Sequence, residues 1–286
     1  MSRIPREENA PRGMLHPLMA LLDRPIAWLK HTLLFHPNTK LQTSPADFGL
    51  PYEDVRFGGP DGTTLHGWYI HSREVHSPTS ESLFVWFHGN AGHIGHRLKQ
   101  LRLLHEQIGG SHFIFDYQGF GLSHGKPTIS GIIEDGRAAL ALMHARGWLQ
   151  GRRLVYFGES LGCAVVIALA LETRPDALIL TAPFHSLQAM GRIRVPPLAF
   201  LVENDLPNDR LIGQVHAPVL VMHGTDDRTV PFRQGHELFT LARHPKAFYR
   251  VEGGGHTNLH EVGGETYLRV IREFLLPQPA DTAQAG

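Results

Sequence analysis

Short apolar runs that alternate with helical segments are the feature that most constrains the fold of this chain. Each run is three to five residues long and rich in β-branched or aromatic residues; the six clearest span 83–87, 113–115, 154–157, 177–180, 219–222 and 247–251. This alternation is typical of a mostly parallel β-sheet with helices on both faces. We therefore predict a single α/β domain over residues 51–276, because no repeat or Pro-rich linker divides that part of the chain.

Apolar periodicity and turn residues predict the remaining elements. The hairpin expected from 52–57 and 64–70 turns at Gly58-Gly59-Pro60-Asp61-Gly62. The segment 161–172 is a helix with no polar face, which indicates a position deep in the fold. The other predicted helices follow the apolar residues from 94 to 108 and the segments 132–144, 232–242 and 267–276, whereas 182–217 is irregular and reads as a short lid.

Composition excludes several classes of protein. The chain carries 27 basic and 27 acidic residues, so it lacks the basic footprint of a nucleic-acid-binding protein. The single cysteine, Cys163, excludes an internal disulfide framework and a cysteine-based zinc site. It lies within the predicted buried helix, where a small apolar residue needs no catalytic role.

The two ends of the chain read differently from the domain. Residues 14–35 are numerous enough to cross a bilayer, but Asp23, Arg24, Pro25 and Lys30 interrupt them. We interpret residues 1–50 as an amphipathic extension that packs against the domain, with peripheral membrane contact through 14–35 as the open alternative. We accordingly expect a cytoplasmic protein, with association at the inner face of a membrane left open, and a disordered tail over 277–286.

Polar residues follow the predicted strands at the edge where parallel sheets bind ligands. Ser160 follows the strand 154–157, Asp227 follows 219–222, and His256 follows 247–251. A serine hydroxyl becomes a strong nucleophile when an imidazole takes its proton, and a carboxylate on the other ring nitrogen orients that imidazole. The three residues therefore predict a catalytic triad.

Two segments match G-x-S-x-G, and their contexts separate them. Ser160 lies between a strand and a helix, where the glycines would permit a strained turn. Ser123 lies several residues beyond its strand, and Lys126-Pro127 follows it instead of a helix. We predict Ser160 as the nucleophile.

The acid and the base each have a neighbouring competitor. Asp226 precedes Asp227, and we expect it to shape the turn. His260 lies one helical turn beyond His256, which follows three glycines that let its loop reach toward the serine.

Other histidines of the strand-end loops are expected to have structural roles. His88 and His223 each precede a glycine at a strand end and are expected to be structural, hydrogen-bonded residues. His93 and His96 have helical spacing for a metal pair but no evident third ligand, so we predict no metal site and no cofactor.

Two backbone N–H groups should stabilise the oxyanion that forms during acyl transfer. Leu161 N–H, directly after the nucleophile, is one, and we favour Asn90 N–H over Ala91 N–H as the other. Leu187 and Met190, in the segment 182–217, are candidates for an acyl pocket.

From about Tyr52 to Leu276 the chain resembles the α/β-hydrolase superfamily of serine hydrolases. The resemblance rests on HGNAGHIGHR (88–97), DYQGFGLSHGKP (116–127), GESLG (158–162), HGTDDRTVP (223–231) and GGGH (253–256), in family order. The first two motifs resemble a small-lid branch of esterases and thioesterases that are often tethered by an N-terminal apolar helix. The chain has Gln118 where that branch usually has Arg, which implies that an ion pair in this loop is missing.

The expected activity is hydrolysis of a small-molecule or lipid acyl ester, carboxylic or thio, through an acyl-enzyme on Ser160. One alternative is a serine peptidase of the prolyl-oligopeptidase type, although such enzymes usually carry a gating domain for which this chain has no room. The other is a catalytically silent α/β-hydrolase fold that serves as a binding protein. The residues leave the acyl chain length, the choice between ester and thioester, and the oligomeric state open.

Overall fold

The computed structural model describes residues 34–73, 79, 81–197 and 205–276. Ten strands and seven α-helices are found in this part of the chain. The strands are β1 (His36–Pro37), β2 (Tyr52–Gly58), β3 (Thr64–Ile70), β4 (Ser82–Phe87), β5 (Ala91–Gly92), β6 (Ser111–Asp116), β7 (Arg153–Glu159), β8 (Ala177–Thr181), β9 (Val219–Gly224) and β10 (Lys246–Val251). The helices are α1 (Leu98–Gln107), α2 (Ile129–Ala145), α3 (Leu161–Thr173), α4 (Leu187–Arg194), α5 (Asn208–Leu211), α6 (Phe232–Leu241) and α7 (Leu259–Leu275).

Eight of the described strands form one sheet in the order β10-β9-β8-β7-β4-β6-β3-β2. The hairpin β2–β3 is antiparallel and joins β6 in antiparallel fashion, whereas every pairing from β6 to β10 is parallel. The predicted α/β-hydrolase fold, a mostly parallel sheet covered by helices, is therefore confirmed. The carboxyl ends of β4, β7, β9 and β10 meet at one edge of the sheet, because these strands run in the same direction.

Burial follows the pattern that the sequence predicts. All residues of β4, β6, β8 and β9 are buried, as expected of strands covered on both faces. Helix α3 is buried from Leu161 through Ile167, which agrees with its lack of a polar face. This burial anchors the helix that begins directly after Ser160.

The helix boundaries differ most from the predicted ones in three places. Helix α2 begins at Ile129 instead of 132, because Thr128 caps it: Thr128 Oγ1 accepts a hydrogen bond from Gly131 N at 2.9 Å. Helix α7 begins at Leu259 instead of 267. The prediction missed its first turns because the glycines there obscure the apolar periodicity, and Gly264 takes a non-helical conformation within the helix. The irregular segment 182–217 contains α4 and α5, both too short for their periodicity to stand out.

The compact unit that contains the sheet begins at Phe35, upstream of the boundary predicted at 51. Phe35 and Leu50 are buried, and β1 pairs in parallel with β5 in the loop after β4. Residues 1–33, which include most of the candidate membrane-contacting segment, and the tail 277–286 lie outside the described residues. Among the described helices, none combines the length and apolarity needed to cross a membrane.

Candidate active site

Ser160 occupies the sharp turn between β7 and α3. Its backbone has φ 52° and ψ −111°, a conformation that non-glycine residues rarely adopt. Ser160 N donates a hydrogen bond to Thr181 O at 2.9 Å, and the buried helix holds the other side of the turn. A strained residue held between a strand and a helix is the geometry of a nucleophile elbow.

The glycines of the G-x-S-x-G motif around Ser160 are needed because neighbouring backbone leaves no space for a Cβ, whereas the strained backbone conformation is that of the serine itself. A Cβ on Gly162 would overlap the carbonyl oxygen of Phe87 at the end of β4. A Cβ on Gly158 would lie 2.9 Å from Cys163 Cα. Cys163 itself is buried and burial raises the pKa of its thiol, so it remains protonated and inert.

His256 lies between Ser160 and Asp227 at hydrogen-bonding distance from both. Its Nε2 is 3.0 Å from Ser160 Oγ, and its Nδ1 is 2.7 Å from Asp227 Oδ2. The serine is 8% exposed and the aspartate side chain is fully buried, whereas the histidine side chain is 15% exposed. The structure thus brings the three predicted residues together with each ring nitrogen facing one partner.

Asp227 is held in its ionised form by four groups. Its Oδ1 accepts hydrogen bonds from Thr229 N and Val230 N, each at 2.8 Å, and its Oδ2 lies 3.2 Å from His223 Nε2. Burial alone would raise the pKa of Asp227, but the hydrogen bonds from His223, His256 and the backbone hold that pKa well below its ordinary value. His223, buried and also bonded to Val230 O, therefore supports the acid, the structural role expected of it.

The competing residues have other environments. Asp226 is exposed, and its N–H donates to Gly254 O at 2.9 Å, which places it in the turn. His260 lies in the first turn of α7, and its Nε2 is 3.9 Å from Glu261 Oε1. Among the described residues, no hydrogen bond or ion pair joins Asp226 to His256, and none joins His260 to Ser160 or Asp227.

Ser123 has a structural environment of its own. Its Oγ donates to Asp116 O at 2.6 Å and accepts from His66 N at 2.9 Å, and the residue is 5% exposed. Both sides of this hydroxyl are therefore engaged by the backbone of neighbouring segments. The second G-x-S-x-G match closes the loop after β6 against β3.

The loop after β4, residues 88–93, passes directly against the elbow; we call it the oxyanion loop. A Cβ on Gly89 would lie 3.5 Å from Ser160 Cβ, an ordinary van der Waals distance, so the loop backbone packs directly against the serine. Leu161 N–H is among the first N–H groups of α3, which have no acceptor within their own helix. Both predicted oxyanion donors, Leu161 N–H and Asn90 N–H, therefore belong to segments that border the serine.

Sequence reasoning missed an ion pair between Arg97 and Glu159. Arg97 Nη2 donates to Glu159 Oε1 at 3.0 Å and Arg97 Nε donates to Glu159 Oε2 at 3.2 Å. Burial would raise the pKa of Glu159, yet the arginine keeps that pKa below its ordinary value. A usable signal exists in the sequence, since a carboxylate between an apolar strand and a buried helix needs a cationic partner.

The histidines beside the oxyanion loop have structural contacts. His93 Nδ1 accepts from Gly95 N at 3.1 Å, and the rings of His93 and His96 stack at 3.9 Å. Burial, and for His93 the neighbouring His96, lowers the pKa of both rings. Within the described residues, no three His, Cys, Asp or Glu side chains are grouped to hold a metal ion.

Gln118 forms hydrogen bonds in the place where the resemblance leads one to expect an ion pair. Gln118 N and Nε2 donate to the two carboxylate oxygens of Asp135, at 2.8 and 3.0 Å. Burial without a cationic partner raises the pKa of Asp135 to about 6. The loop after β6 is therefore tied to α2 by a neutral donor.

The pocket candidates Leu187 and Met190 lie in α4 and are half-buried. The far end of this helix is fixed to the loop that carries the acid, since Arg194 Nη2 donates to Arg228 O and Thr229 O at 3.2 and 2.7 Å. Phe200, a further apolar residue of the predicted lid, falls outside the described residues.

Comparisons with known proteins agree with this architecture. Residues 78–208 match the family model described as serine aminopeptidase, S33. The chain is 37% identical over 246 residues to the uncharacterized protein Rv2307c of Mycobacterium tuberculosis, covering 85% of this chain and 86% of that protein. It is 33% identical over 254 residues to the alpha/beta hydrolase domain-containing protein WAV2 of Arabidopsis thaliana, covering 81% of each.

Solved structures share the fold at low sequence identity. The esterase Pf2001 of Pyrococcus furiosus superposes with a TM-score of 0.68 at 21% identity, covering 85% of this chain and 96% of the esterase chain. One assignment follows from the order of the sheet, the strained serine between strand and helix, and the relatives that match over most of their length. The chain belongs to the α/β-hydrolase superfamily.

Proposed function

We propose that this protein hydrolyses carboxylic esters or thioesters through an acyl-enzyme on Ser160. The observation that carries the proposal is the continuous hydrogen-bonded series from Asp227 through His256 to a serine in a strained backbone conformation. Strain at this position presents Oγ clear of the backbone, and the histidine lies where a general base must lie.

In the proposed mechanism His256 Nε2 takes the Ser160 proton as Oγ attacks the acyl carbon. Asp227, which its hydrogen bonds keep ionised, fixes the imidazole tautomer and stabilises the imidazolium. The N–H groups of Leu161 and Asn90 stabilise the oxyanion. His256 then protonates the leaving alcohol or thiol, and in the second half-reaction it activates the water that releases the acid.

An ester or thioester substrate is favoured over a peptide. The family model that matches bears a peptidase description, and an aminopeptidase needs a carboxylate that accepts the substrate's ammonium group. In the part of the chain that the structure describes, the carboxylates beside the nucleophile and the base are both engaged, Glu159 by Arg97 and Asp227 by its hydrogen-bond donors. The esterase among the solved neighbours and the apolar Leu187 and Met190 on α4 support acyl substrates.

A fluorophosphonate probe and a substrate panel test the proposal together. Wild-type protein should be labelled by the probe, and Ser160→Ala should not. The panel comprises p-nitrophenyl esters and acyl-thioesters of graded chain length, with aminoacyl and dipeptidyl chromogenic amides as the peptidase arm. Label that persists on Ser160→Ala contradicts the nucleophile, faster turnover of the amides favours the peptidase, and absence of labelling and turnover in the wild type favours a binding protein.

A further inference from the structure

Four consecutive carbonyl groups of the oxyanion loop, those of residues 90–93, have hydrogen-bond partners. Asn90 O accepts from His36 N at 2.8 Å and Gly92 O accepts from Asn38 N at 2.9 Å, both through the segment that contains β1. The other two carbonyls, Ala91 O and His93 O, accept from Arg97 Nη1 at 2.9 and 3.2 Å, and His93 O also accepts from His96 N at 3.1 Å. The loop is therefore held from two sides, and Arg97 provides one of them.

Arg97 binds the nucleophile elbow with the rest of its guanidinium. Nε and Nη2 form the edge that pairs with both carboxylate oxygens of Glu159, the residue before Ser160. The side chains of Arg97 and Glu159 are 10% and 14% exposed, so water competes weakly for these bonds. One rigid planar group thus spans the loop and the elbow and sets the distance between them.

We propose that Arg97 is a positioning residue for the oxyanion hole: it holds the Asn90–His93 backbone against the Ser160 elbow so that the loop and α3 present their N–H groups to one oxygen. The inference rests on the proposed acyl hydrolysis, which needs an oxyanion hole. Nη1, which does not contact Glu159, is the group that reaches the loop carbonyls. Lysine, with one ammonium nitrogen, cannot bind both edges in this geometry.

The rival explanation is that Arg97 only neutralises the buried Glu159. Two variants separate the explanations. Arg97→Met removes the loop contacts and leaves a buried carboxylate unpaired, which destabilises the protein. The double variant Arg97→Met with Glu159→Met removes both charges, and replacing a buried ion pair with apolar residues of similar volume generally preserves stability. In both variants Ala91 O and His93 O lose the hydrogen bonds from Arg97, whereas His93 O keeps its bond from His96 N.

The experiment measures kcat, KM and inhibition by an acyl trifluoromethyl ketone, whose hemiketal oxygen occupies the oxyanion hole. In the double variant we expect the melting temperature to recover toward that of the wild type, while kcat stays about tenfold to a hundredfold low with KM changed less than threefold. The inhibitor should weaken by the same factor as kcat/KM, as expected for lost transition-state stabilisation. Arg137→Met is the matched control, because Arg137 pairs with Glu134 and Glu172 at the surface and should leave all three quantities unchanged.

Hydrogen exchange measured by mass spectrometry on the peptide that covers 88–96 provides a readout independent of turnover. Exchange should accelerate in both Arg97 variants and stay at the wild-type rate in the control. Recovery of kcat to within twofold of wild type in the double variant, or unchanged exchange in that peptide, would overturn the role of Arg97. Failure of the proposed function has a different signature, since the wild type itself would then show neither labelling nor turnover.

Discussion

The two G-x-S-x-G serines should respond to alanine substitution in opposite ways. Ser123→Ala removes a buried hydroxyl that bonds Asp116 O and His66 N. Each backbone group left without its partner costs about 1–3 kcal/mol, so the free energy of unfolding should fall by about 2–4 kcal/mol. For a domain of this size, that loss lowers the melting temperature by roughly 5–15 °C. Ser160→Ala should instead leave the melting temperature nearly unchanged and reduce kcat by several orders of magnitude.

The assay combines urea unfolding with fluorophosphonate labelling at 20 °C, where both variants are folded. Ser130→Ala serves as the matched control, since Ser130 is exposed in α2 and its loss should change the unfolding free energy by less than about 0.5 kcal/mol. Labelling of Ser123→Ala should proceed within threefold of the wild-type rate. A labelling rate more than tenfold lower, or an unfolding free energy equal to that of the wild type, would refute the assignment of Ser123 as a structural residue.

Three further substitutions test the elbow, the acid and a buried carboxylate. Gly162→Ala should abolish turnover, because its Cβ overlaps a β4 carbonyl, whereas Gly58→Ala, with open space around it, should not; equal kcat values in the two variants would contradict this. Asp227→Asn should lower kcat by about 10⁴-fold, because His256 loses the carboxylate that fixes its tautomer. The measurement is a pH–rate profile, and a loss of less than about tenfold in kcat would exclude Asp227 as the acid. Asp135 has a folded-state pKa of about 6, above its unfolded value, so its proton favours the folded state at low pH and that stabilisation is lost between about pH 4 and pH 6. Because asparagine does not titrate, the stability of Asp135→Asn relative to the wild type should rise by about 2 kcal/mol as the pH increases from about 4.5 to about 7.5, measured by urea unfolding. A difference in unfolding free energy that does not change with pH would contradict the raised pKa of Asp135.

The fold and the spatial grouping of the three proposed triad residues could be predicted from the sequence, because both depend on local patterns. Strands rich in β-branched and aromatic residues specify a parallel sheet, and a parallel sheet gathers the residues after each strand at one edge. That rule is sufficient to bring Ser160, Asp227 and His256 together, although 96 residues of sequence separate the serine from the histidine. Their order along the chain added the identity of the superfamily.

The choice between Asp226 and Asp227 shows where local patterns end. Both follow β9, and both are compatible with a turn. The structure separates them through the backbone: Thr229 and Val230 donate their N–H groups to Asp227, and Gly254 accepts from Asp226. The first two bonds depend on the conformation of the loop after β9, and the third depends on how that loop meets the loop after β10; no periodicity of the sequence records either.

The oxyanion loop is a second feature that local sequence patterns cannot predict. A sequence names residues with N–H groups near a nucleophile, but a backbone that presents an N–H to a ligand must also turn its carbonyls elsewhere. Here the segment that contains β1 binds Asn90 O and Gly92 O, while Arg97 binds the carbonyls of Ala91 and His93. The chain thus draws on an N-terminal strand and a distant ion pair to orient four consecutive peptide groups. In the proposed mechanism, stabilisation of the oxyanion depends on where the carbonyls of this loop are bound as much as on which N–H groups the loop offers.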